Sequence, residues 1–327
     1  MFILGLQGSP RLSGNTNYLL DAFLEGARQK GAHTKKLNVT RTAISPCTGC
    51  GNCERKGFCI IKDDDMASFI YPLLRRADVI VLASPVYFYN VPAVLKALID
   101  RSQALWSRKY KLGLDDPGRG HRKGFMLAVG ATKGKNLFDG MVLTAKYFFD
   151  AVGAGYIDML GYRRVEDVGE MAGHPHVAED VETLLAKIAP EFNRRKILFA
   201  CRENACRSQM AAAFAQIMGG DQIDALCAGS TPASEINPDM AAVMAEEGID
   251  MAHRVPRAID AALDETIPDT VITMGCGDEC PFISGVRYED WDLPDPAGKG
   301  LDFMREVRDE IRRRVRALLD SSEAVTP

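Results

Sequence analysis

Short apolar runs alternate with longer amphipathic stretches along the first 190 residues. The run FILGL at 2–6 is too short for a helix and predicts a buried strand. In the stretch that follows, Leu20, Phe23 and Leu24 recur at the spacing of one helix face. Strands that alternate with helices are typical of a parallel sheet covered by helices. Further strands are predicted at 78–83, 124–129 and 156–162, with helices over AVLKALIDRSQAL, MVLTAKYFFDAV and DVETLLAKIA.

The same alternation begins again after a short polar segment, PEFNRR at 190–195. Strands are predicted at 196–200, over IDAL and at 270–274. We therefore expect two α/β domains in tandem, 1–190 and 196–320, each with a doubly wound parallel sheet. Helices of the second domain are predicted over SQMAAAFAQIM, 240–247 and 301–319.

The composition is that of an ordinary folded protein. Of 327 residues, 46% are hydrophobic and 26% are charged, which excludes a disordered, collagen-like or coiled-coil chain. The net charge of −4 gives no basis for a nucleic-acid partner, and no apolar run reaches the roughly 20 residues of a membrane span. MFILGLQGSPR lacks the basic start of a signal peptide, so we expect a cytoplasmic protein. Residues 1–193 carry 25 Lys and Arg against 20 Asp and Glu, net +5, whereas 194–327 carry 15 against 24, net −9.

Three polar loops follow predicted strands of the first domain. GSPRLSGNT joins the strand at 2–6 to a helix, and backbone N–H groups at a helix start attract phosphate. The same residues also suit an ordinary helix cap. SPVYFYNVP and GATKGKN follow two further strands, and loops at the carboxyl ends of parallel strands converge on one crevice. Polar side chains for an anion are Ser9, Arg11, Ser13, Asn15 and Thr16, and Tyr87, Phe88 and Tyr89 would frame a flat ring.

Nine cysteines in a cytosolic chain are expected to be ligands, nucleophiles or buried small residues rather than disulfides. Four of them follow the spacing C-x2-C-x2-C-x5-C: Cys47, Cys50, Cys53 and Cys59. Thiolates this close together match the ligation of a 4Fe–4S cluster, whereas structural zinc is typical of two separated CxxC pairs. The alternative is four free thiols in a loop that contacts substrate or a second copy of the chain.

GSPRLSGNT, SPVYFYNVPAVLKALIDR and CTGCGNCERKGFCIIKDDDM together resemble the flavodoxin-fold NAD(P)H-dependent FMN reductases. Within that group they are most similar to the iron–sulfur flavoproteins, and the resemblance covers about residues 1–190. It implies FMN, NAD(P)H as a transient hydride donor, and a homo-oligomer formed through this domain. It also implies the FMN phosphate on residues 9–16 and the isoalloxazine near Pro85, Val86, Tyr87, Phe88, Gly130, Ala131 and Thr132.

The second domain carries the pattern C-x5-R, Cys201 and Arg207, between a strand and a helix. A thiol among the N–H groups of a helix start and facing a guanidinium favours the thiolate, which is the nucleophilic form. The same N–H groups bind a tetrahedral oxyanion, and arginine holds two of its oxygens. The alternative is a chance match. The loop residues expected around the oxyanion are Glu203, Asn204, Ala205, Cys206 and Ser208.

This pattern resembles the low-molecular-weight tyrosine phosphatase fold, and WDLPDPAG implies Asp295 as its general acid. CRSQMA, TMGCGDECP and DPAG are similar to the thiol-coupled arsenate reductases of that fold, over about 196–319. This implies Cys276 or Cys280 as the resolving cysteine, and thioredoxin or a small thiol as a partner. The two loop cysteines stand closer together than in thioredoxin-coupled members, so which of them resolves the adduct stays open. We expect Cys206 to be structural and Cys227 to be a buried small hydrophobe.

Together these expectations describe a flavin-dependent NAD(P)H oxidoreductase fused to an arsenate reductase. Cys201 would attack arsenate, Asp295 would protonate the departing oxygen, and a second cysteine would release arsenite and leave a disulfide. One alternative is a tyrosine or small phosphoester phosphatase with the extra cysteines as redox brakes. Another is a redox flavoprotein whose second domain only binds an oxyanion.

Overall fold

The protein divides into two compact units, each with its own parallel sheet. The computed structural model describes residues 1–275, 280 and 282–323. One unit comprises Met1–Gly113 and Arg119–Phe192, and the other comprises Leu114–Gly118 and the chain from Asn193 onward.

A five-residue segment from the first half of the chain belongs to the second unit. Within Leu114–Gly118, the Asp115 N–H donates to the Gly248 carbonyl at 2.7 Å, and the Asp115 carbonyl accepts from the Asp250 N–H at 2.8 Å. These two bonds form a short parallel bridge beside Ile249. The second unit is therefore assembled from two separate stretches of sequence.

The first unit is built on parallel strands β1 (Phe2–Gln7), β2 (His33–Asn38), β3 (Val79–Pro85), β4 (Lys123–Gly130) and β5 (Gly155–Arg163). They lie in the order β2-β1-β3-β4-β5. Because both faces of the sheet are covered, its inner strands are continuous apolar runs. Along β1, Leu4 and Leu6 enter one core and Ile3 enters the other, as the twofold alternation of a strand requires.

The helices of this unit are α1 (Asn15–Gln29), α2 (Asn52–Lys56), α3 (Tyr71–Arg76), α4 (Ala93–Arg101), α5 (Gln103–Tyr110), α6 (Asp139–Ala151) and α7 (Val177–Ala186). Helices α1 and α7 share one core with the sheet, and α3 to α6 share the other. Short helical turns at Val39–Arg41, Met66–Ile70 and Pro190–Asn193 complete the unit.

The second unit has strands β6 (Arg195–Cys201), β7 (Ile223–Gly229), β8 (Thr270–Met274) and β9 (Arg287–Asp290), in the order β7-β6-β8-β9. Its helices are α8 (Arg207–Gly219), α9 (Pro238–Ala245), α10 (Ile259–Leu263) and α11 (Leu301–Glu323), with a single turn at Gly220–Gln222. Ile197 and Phe199 of β6 pack with α8, α9 and α11. Leu198 and Ala200 pack on the opposite face with α10. Helices thus cover both faces of this sheet as well.

The predicted fold class is confirmed, and the strands that the pattern did not predict, β2 and β9, both lie at sheet edges. Their sequences, HTKKLN and RYED, are polar because an edge strand keeps much of its surface in water. The single helix predicted over AVLKALIDRSQAL is divided at Ser102, whose Oγ donates to the Leu98 carbonyl at 3.1 Å. Within the described part of the chain, no helix has both the length and the apolar surface that crossing a bilayer requires.

Gly124 and Gly155 lie in the neighbouring strands β4 and β5, and replacing each by alanine tests how tightly the first unit is packed at that position. A Cβ added at Gly124 would lie 2.5 Å from Cγ of the Phe149 ring, whereas one added at Gly155 would lie 3.8 Å from its nearest neighbour. We expect Gly124→Ala to lower the free energy of unfolding by about 1–3 kcal/mol because the core is overpacked. Gly155→Ala should stay within about 0.5 kcal/mol of the parent. Urea unfolding followed by circular dichroism measures both, and equal losses would exclude the Phe149 contact as the cause.

Candidate functional site

The loop between β1 and α1 presents free backbone donors. Gly14 precedes the helix in an extended conformation, without a side-chain cap and without an acidic residue in the first turn. Among the described residues, the N–H groups of Asn15, Thr16 and Asn17 have no acceptor. The first N–H groups of a helix carry partial positive charge, so this loop is suited to an anion such as phosphate.

The side chains predicted around this anion are placed in different ways. Ser9 and Thr16 are buried in the loop, and Ser9 Oγ accepts the Arg11 N–H at 3.1 Å. The Arg11 and Ser13 side chains lie exposed at the same loop. Ser9 and Thr16 therefore shape the cradle, and Arg11 is available to a ligand from outside.

Asn15, also predicted at the phosphate, is engaged elsewhere through its side chain. Its Nδ2 donates to the Asp167 carbonyl at 2.7 Å, and its Oδ1 accepts the Met171 N–H at 3.2 Å. These bonds join residues more than 150 positions apart in the chain. Asn15 thus fixes the loop after β5 against the loop between β1 and α1, which is called the anion loop below. The backbone N–H of Asn15 has no acceptor among the described residues.

The turn after β3 holds two aromatic residues in a strained backbone conformation. Phe88 and Tyr89 have φ of 48° and 60°, in the left-handed region that bulky residues rarely adopt. The Tyr87 and Asn90 backbones exchange hydrogen bonds of 2.8 and 2.9 Å that close the turn. Asn90 Oδ1 also accepts from the Val91 N–H and from Thr144 Oγ1. Strain of this kind is characteristic of functional sites, and the Phe88 ring is fully exposed.

A third loop follows β4 and lies beside the other two. Val86 donates to the Val129 carbonyl at 3.0 Å, which places Pro85 and Val86 next to Gly130. A Cβ at Gly130 would lie 2.8 Å from Leu137 Cδ2 and 3.0 Å from Val86 Cγ2, so a larger residue would require these side chains to shift. Beyond it, Ala131 and Thr132 are exposed, and the Thr132 carbonyl accepts the Arg164 N–H at 3.4 Å.

The three loops extend from the carboxyl ends of adjacent strands β1, β3 and β4. They combine free N–H donors, an exposed aromatic turn and a tightly packed glycine at one edge of the sheet. These residues fit a ligand with a phosphate at one end and a flat ring at the other, as FMN has. Sequence reasoning missed Asn90 and Thr144, which hold the turn; their polarity between apolar neighbours was the only available signal.

The four clustered cysteines lie on the segment 45–64, called the cysteine segment below. Cys47 and Cys50 are exposed, Cys53 and Cys59 are half-buried, and all four are free thiols. A hydrogen bond from the Asn52 backbone, together with the Thr48 side chain, lowers the pKa of Cys50. No group of three or more His, Cys, Asp or Glu side chains in the described residues is arranged to hold a metal ion. As placed, these cysteines do not fit a 4Fe–4S cluster.

In the second unit, the loop after β6 turns its carbonyl groups outward. The carbonyl oxygens of Cys201, Arg202, Glu203 and Ala205 accept N–H groups from the 230–237 stretch, at 2.8 to 3.3 Å. Gly229 allows this close approach, because a Cβ there would lie 2.6 Å from the Arg202 carbonyl. Among the described residues, the N–H groups from Glu203 to Cys206 have no acceptor. Inward N–H groups of this kind form a nest for a tetrahedral oxyanion.

Cys201 ends β6 at the floor of this nest and is buried. Its Sγ lies 3.0 Å from Ser208 Oγ. Asn204 Nδ2 donates to the same Ser208 oxygen at 2.8 Å, which leaves the Ser208 hydroxyl proton for the sulfur. The thiolate is the form of a cysteine that attacks an electrophile, and Ser208 is placed to contact it.

The nest is held by a buried polar network that sequence reasoning missed in part. Asn204 has φ of 50°, in the left-handed region. Gln209 Nε2 donates to the Asn204 carbonyl at 3.1 Å, and Asn204 Oδ1 accepts the Arg257 N–H at 3.0 Å. Gln209 was detectable as a polar residue directly before the apolar run of α8, but the contribution of Arg257 depends on tertiary contacts.

Arg207 is the first residue of α8, and its guanidinium is held by two contacts. Its Nη1 donates to the Leu293 carbonyl at 3.2 Å, and its Nη2 lies 3.6 Å from Asp295 Oδ1. Asp295 is largely exposed, with 64% of its side chain accessible. The structure thus brings the predicted arginine and the predicted acid together at the mouth of the nest.

The remaining cysteines of the second unit have distinct environments. Cys206 is packed against Met304, and burial raises the pKa of its thiol to about 12, so it stays protonated. Cys227 packs against the core but is half-buried rather than fully buried as predicted. Cys280 is disulfide-bonded, so the expectation that no cysteine forms a disulfide is wrong for this residue, which packs on the apolar face with Leu198 and Ala200. Cys276 lies outside the described residues.

Comparison with known proteins identifies both units. Residues 1–148 match the family described as NADPH-dependent FMN reductase, and residues 196–326 match that described as low molecular weight phosphotyrosine protein phosphatase. An iron-sulfur flavoprotein of Methanosarcina thermophila is 39% identical over 133 residues, 41% of this chain and 65% of that protein. For three such flavoproteins the match spans 45% to 65% of their length.

The second unit has relatives that it matches over nearly their whole length. A putative arsenate reductase of Halobacterium salinarum is 38% identical over 130 residues, 38% of this chain and 91% of that protein. A glutaredoxin arsenate reductase of Synechocystis is 33% identical over 127 residues, 38% of this chain and 96% of that protein. The chain therefore belongs to the NADPH-dependent FMN reductase family through its first unit and to the low molecular weight phosphotyrosine protein phosphatase family through its second.

Proposed function

We propose that the chain is a fused enzyme in which residues 1–190 form an NAD(P)H-dependent flavin oxidoreductase and residues 196–320 form an arsenate reductase. The observation that carries this proposal is the nest of the second unit, where a buried sulfur faces free N–H groups and an anchored arginine. Two further cysteines on the loop after β8 distinguish it from a plain phosphatase, because arsenate reduction takes its electrons from sulfur.

Arsenate reduction then follows in two steps. The Cys201 sulfur bonds to arsenic while an As–O bond breaks, and Asp295 gives its proton to the departing oxygen, which leaves as water. A second cysteine then bonds to the Cys201 sulfur, and the pair of electrons in the S–As bond stays with arsenic. Arsenic passes from As(V) to As(III), arsenite leaves, and two thiols become one disulfide.

Position in the sheet supports Cys276 as the first resolving cysteine. Met274, the last residue of β8, is the register partner of Cys201, and Cys276 follows it by two positions. Between them, Gly275 lies against Arg207, since a Cβ there would be 3.0 Å from Nη1. Cys280 packs on the opposite sheet face, among apolar side chains. Its disulfide suits a later thiol–disulfide exchange, in which the Cys280 thiolate would bond to the Cys276 sulfur while the Cys201–Cys276 bond breaks and Cys201 leaves as a thiolate.

The first unit would supply the electrons. Its anion loop would hold the phosphate of FMN, and the turn at Tyr87–Tyr89 with Gly130–Thr132 would hold the ring. Bound FMN supplies hydride acceptance from NAD(P)H. The chain contributes the strained turn, which fixes the ring position, and the exposed Arg11, which is available to a phosphate.

Two electrons from NAD(P)H balance the reduction of one disulfide to two thiols. We propose that the exposed thiols of the cysteine segment carry them, and that the opposite charges of the two sequence halves, +5 and −9, favour the exchange at low salt. Thioredoxin, a glutaredoxin-like protein or a small cytosolic thiol is the alternative reductant. We also propose that copies of the chain associate through the first unit, which exposes Phe88, Leu143 and Tyr147.

A 4Fe–4S cluster in the cysteine segment is supported by the cysteine spacing and by the name of the archaeal relatives. The described arrangement does not support it, because the thiols form no metal-holding group. The proposed relay therefore uses the thiols alone. Iron and acid-labile sulfide analysis of anaerobically prepared protein tests this point.

Phosphatase activity is the second candidate, favoured by the family that residues 196–326 match. The nest and Arg207 would hold phosphate as well as arsenate, because both are tetrahedral oxyanions. Phosphoryl transfer would need only Cys201 and Asp295, and would not need the loop cysteines.

The strained turn allows a prediction about flavin binding. Phe88→Gly should stabilise the flavin-free protein by about 1 kcal/mol, because glycine adopts positive φ without strain. It should weaken FMN binding by about tenfold, because the ring loses an aromatic neighbour. Thermal unfolding and fluorescence titration measure the two effects. Phe282→Ala removes an exposed aromatic of the second unit and should leave FMN affinity unchanged; an unchanged affinity in Phe88→Gly would argue against this ring site.

The cysteines should separate reduction from ester hydrolysis. Cys201→Ser should lower both arsenate reduction and p-nitrophenyl phosphate hydrolysis by at least about a thousandfold, because the attacking sulfur is lost. Cys276→Ser and Cys280→Ser should lower arsenate turnover by about a hundredfold and leave ester hydrolysis within about twofold. Cys227→Ser is the control. Arsenate turnover that survives both loop replacements would refute the intramolecular disulfide.

The fusion predicts arsenate-dependent NAD(P)H oxidation by the purified full chain without any added thiol protein. If electrons pass within one chain, turnover per chain should stay constant when the protein is diluted about a hundredfold, because the effective concentration is set by the tether. The measurement is NADPH absorbance at several protein concentrations. Activity that requires thioredoxin would refute the internal relay.

A further inference from the structure

A buried arginine joins the two ends of the cysteine segment. Arg101 ends α4, and its side chain is fully buried. Its Nη1 donates to the Ser45 carbonyl at 2.8 Å, and its Nη2 donates to the Ile61 carbonyl at 3.1 Å. The four cysteines lie between Ser45 and Ile61, so one guanidinium closes the base of the stretch that carries them.

Asp64 completes this closure. Its two carboxylate oxygens accept from Nη1 and Nη2 of Arg101 in a bidentate pair. The same carboxylate accepts the Ser45 N–H at 3.1 Å and the Ala67 N–H at 3.2 Å. Burial opposes its ionisation, but the hydrogen bonds from Arg101 and the two backbone groups lower the pKa of Asp64. The pair therefore stays charged at neutral pH.

A second arginine holds the segment from the neighbouring helix. Arg108 of α5 donates through Nη1 to the Gly57 carbonyl at 3.2 Å, and its guanidinium carbon lies 4.7 Å from the centre of the Phe58 ring. Gly57 has φ of 72°, and a Cβ there would lie 2.5 Å from Nη1. Both the base and the far half of the segment are thus fixed against α4 and α5.

Core stability alone does not account for an ion pair at this place. Removing two charges from water is costly, and well-packed apolar residues often stabilise a core as much or more. Arg101 also keeps its Nε without an acceptor among the described residues. What the guanidinium provides is a fixed closure of the segment. A reaction that involves several thiols of one segment must bring them together, which costs conformational entropy. A segment that is already closed loses less conformational entropy in such a reaction.

We propose that Arg101 is the positioning residue of the cysteine segment, which it keeps closed by joining Ser45 to Ile61. The closed segment leaves Cys47 and Cys50 exposed and keeps Cys53 and Cys59 half-buried. This inference rests on the proposed electron relay, in which the thiols of the cysteine segment carry electrons, and adds how that segment is held. Its test uses no substrate, so the two proposals fail separately.

The test is the rate at which each thiol of the reduced full chain reacts with iodoacetamide, read peptide by peptide by mass spectrometry. Arg101→Met should raise the rates of Cys53 and Cys59 by about tenfold, which equals about 1.4 kcal/mol of lost closure. Cys47 and Cys50 should change by less than about twofold, because opening affects only groups that the closed form protects.

Two further variants separate geometry from charge. Arg101→Lys keeps the positive charge but lacks the planar fork, so it should restore little of the protection. Lys96→Met removes the exposed Lys96–Asp100 ion pair from the same helix and should leave all four rates unchanged. Protection fully restored by lysine would overturn the bridging role of the guanidinium.

Hydrogen exchange of the unaltered protein tests the same closure without a variant. The Ser45 and Ala67 amides, which donate to Asp64, should exchange at least about a hundredfold more slowly than the exposed Gly49 amide. Equal exchange of Ser45 and Gly49 would overturn the proposal. So would parental labelling rates in an Arg101→Met protein that keeps its circular dichroism and FMN content. If neither Arg101 variant folds, the exchange result decides.

Discussion

Both candidate sites of this chain are built on backbone N–H groups that have no acceptor among the described residues. These donors lie at the start of a helix in the first unit and in the loop before a helix in the second. In each unit an inner strand ends, the chain turns, and a helix begins at the carboxyl edge of the sheet. β1 leads to α1 through the anion loop, and β6 leads to α8 through the nest that follows Cys201. Everything else at the two sites shapes these donors or places a reactive group beside them.

The two units use different means to hold their loops. In the first, Phe88 and Tyr89 adopt left-handed backbone conformations that only surrounding hydrogen bonds can maintain, among them those to Asn90. In the second, the carbonyl groups are directed outward to the 230–237 stretch, and Asn204 is held by Gln209 and the Arg257 backbone. A rigid oxyanion nest suits a reaction in which charge develops at fixed positions. An exposed aromatic turn suits a ring that a second, transient ligand must reach.

Sulfur connects the two proposed activities. Burial keeps Cys206 protonated, whereas Cys201 receives a hydrogen bond from Ser208, so two cysteines of one loop take different parts. In the first unit, Arg101 and Asp64 hold the ends of a segment whose thiols are free. At the nest, burial and a hydroxyl group distinguish the two sulfur atoms, and in the first unit an ion pair holds the segment that carries the other thiols.

Much of this follows from local pattern. Apolar runs predicted the inner strands, and C-x5-R predicted Cys201 and Arg207 at one site, because both signals lie within a few residues of one another. The edge strands β2 and β9 were not predicted, since half-exposed strands carry no continuous apolar run. Three long-range contacts were not predicted either: the pairing of Asp64 with Arg101, the support of Asn204 by Arg257, and the hydrogen bond from Asn15 to Asp167. Each joins residues 37 to 152 positions apart, and only the packing of helices and strands in three dimensions brings such groups within hydrogen-bonding distance.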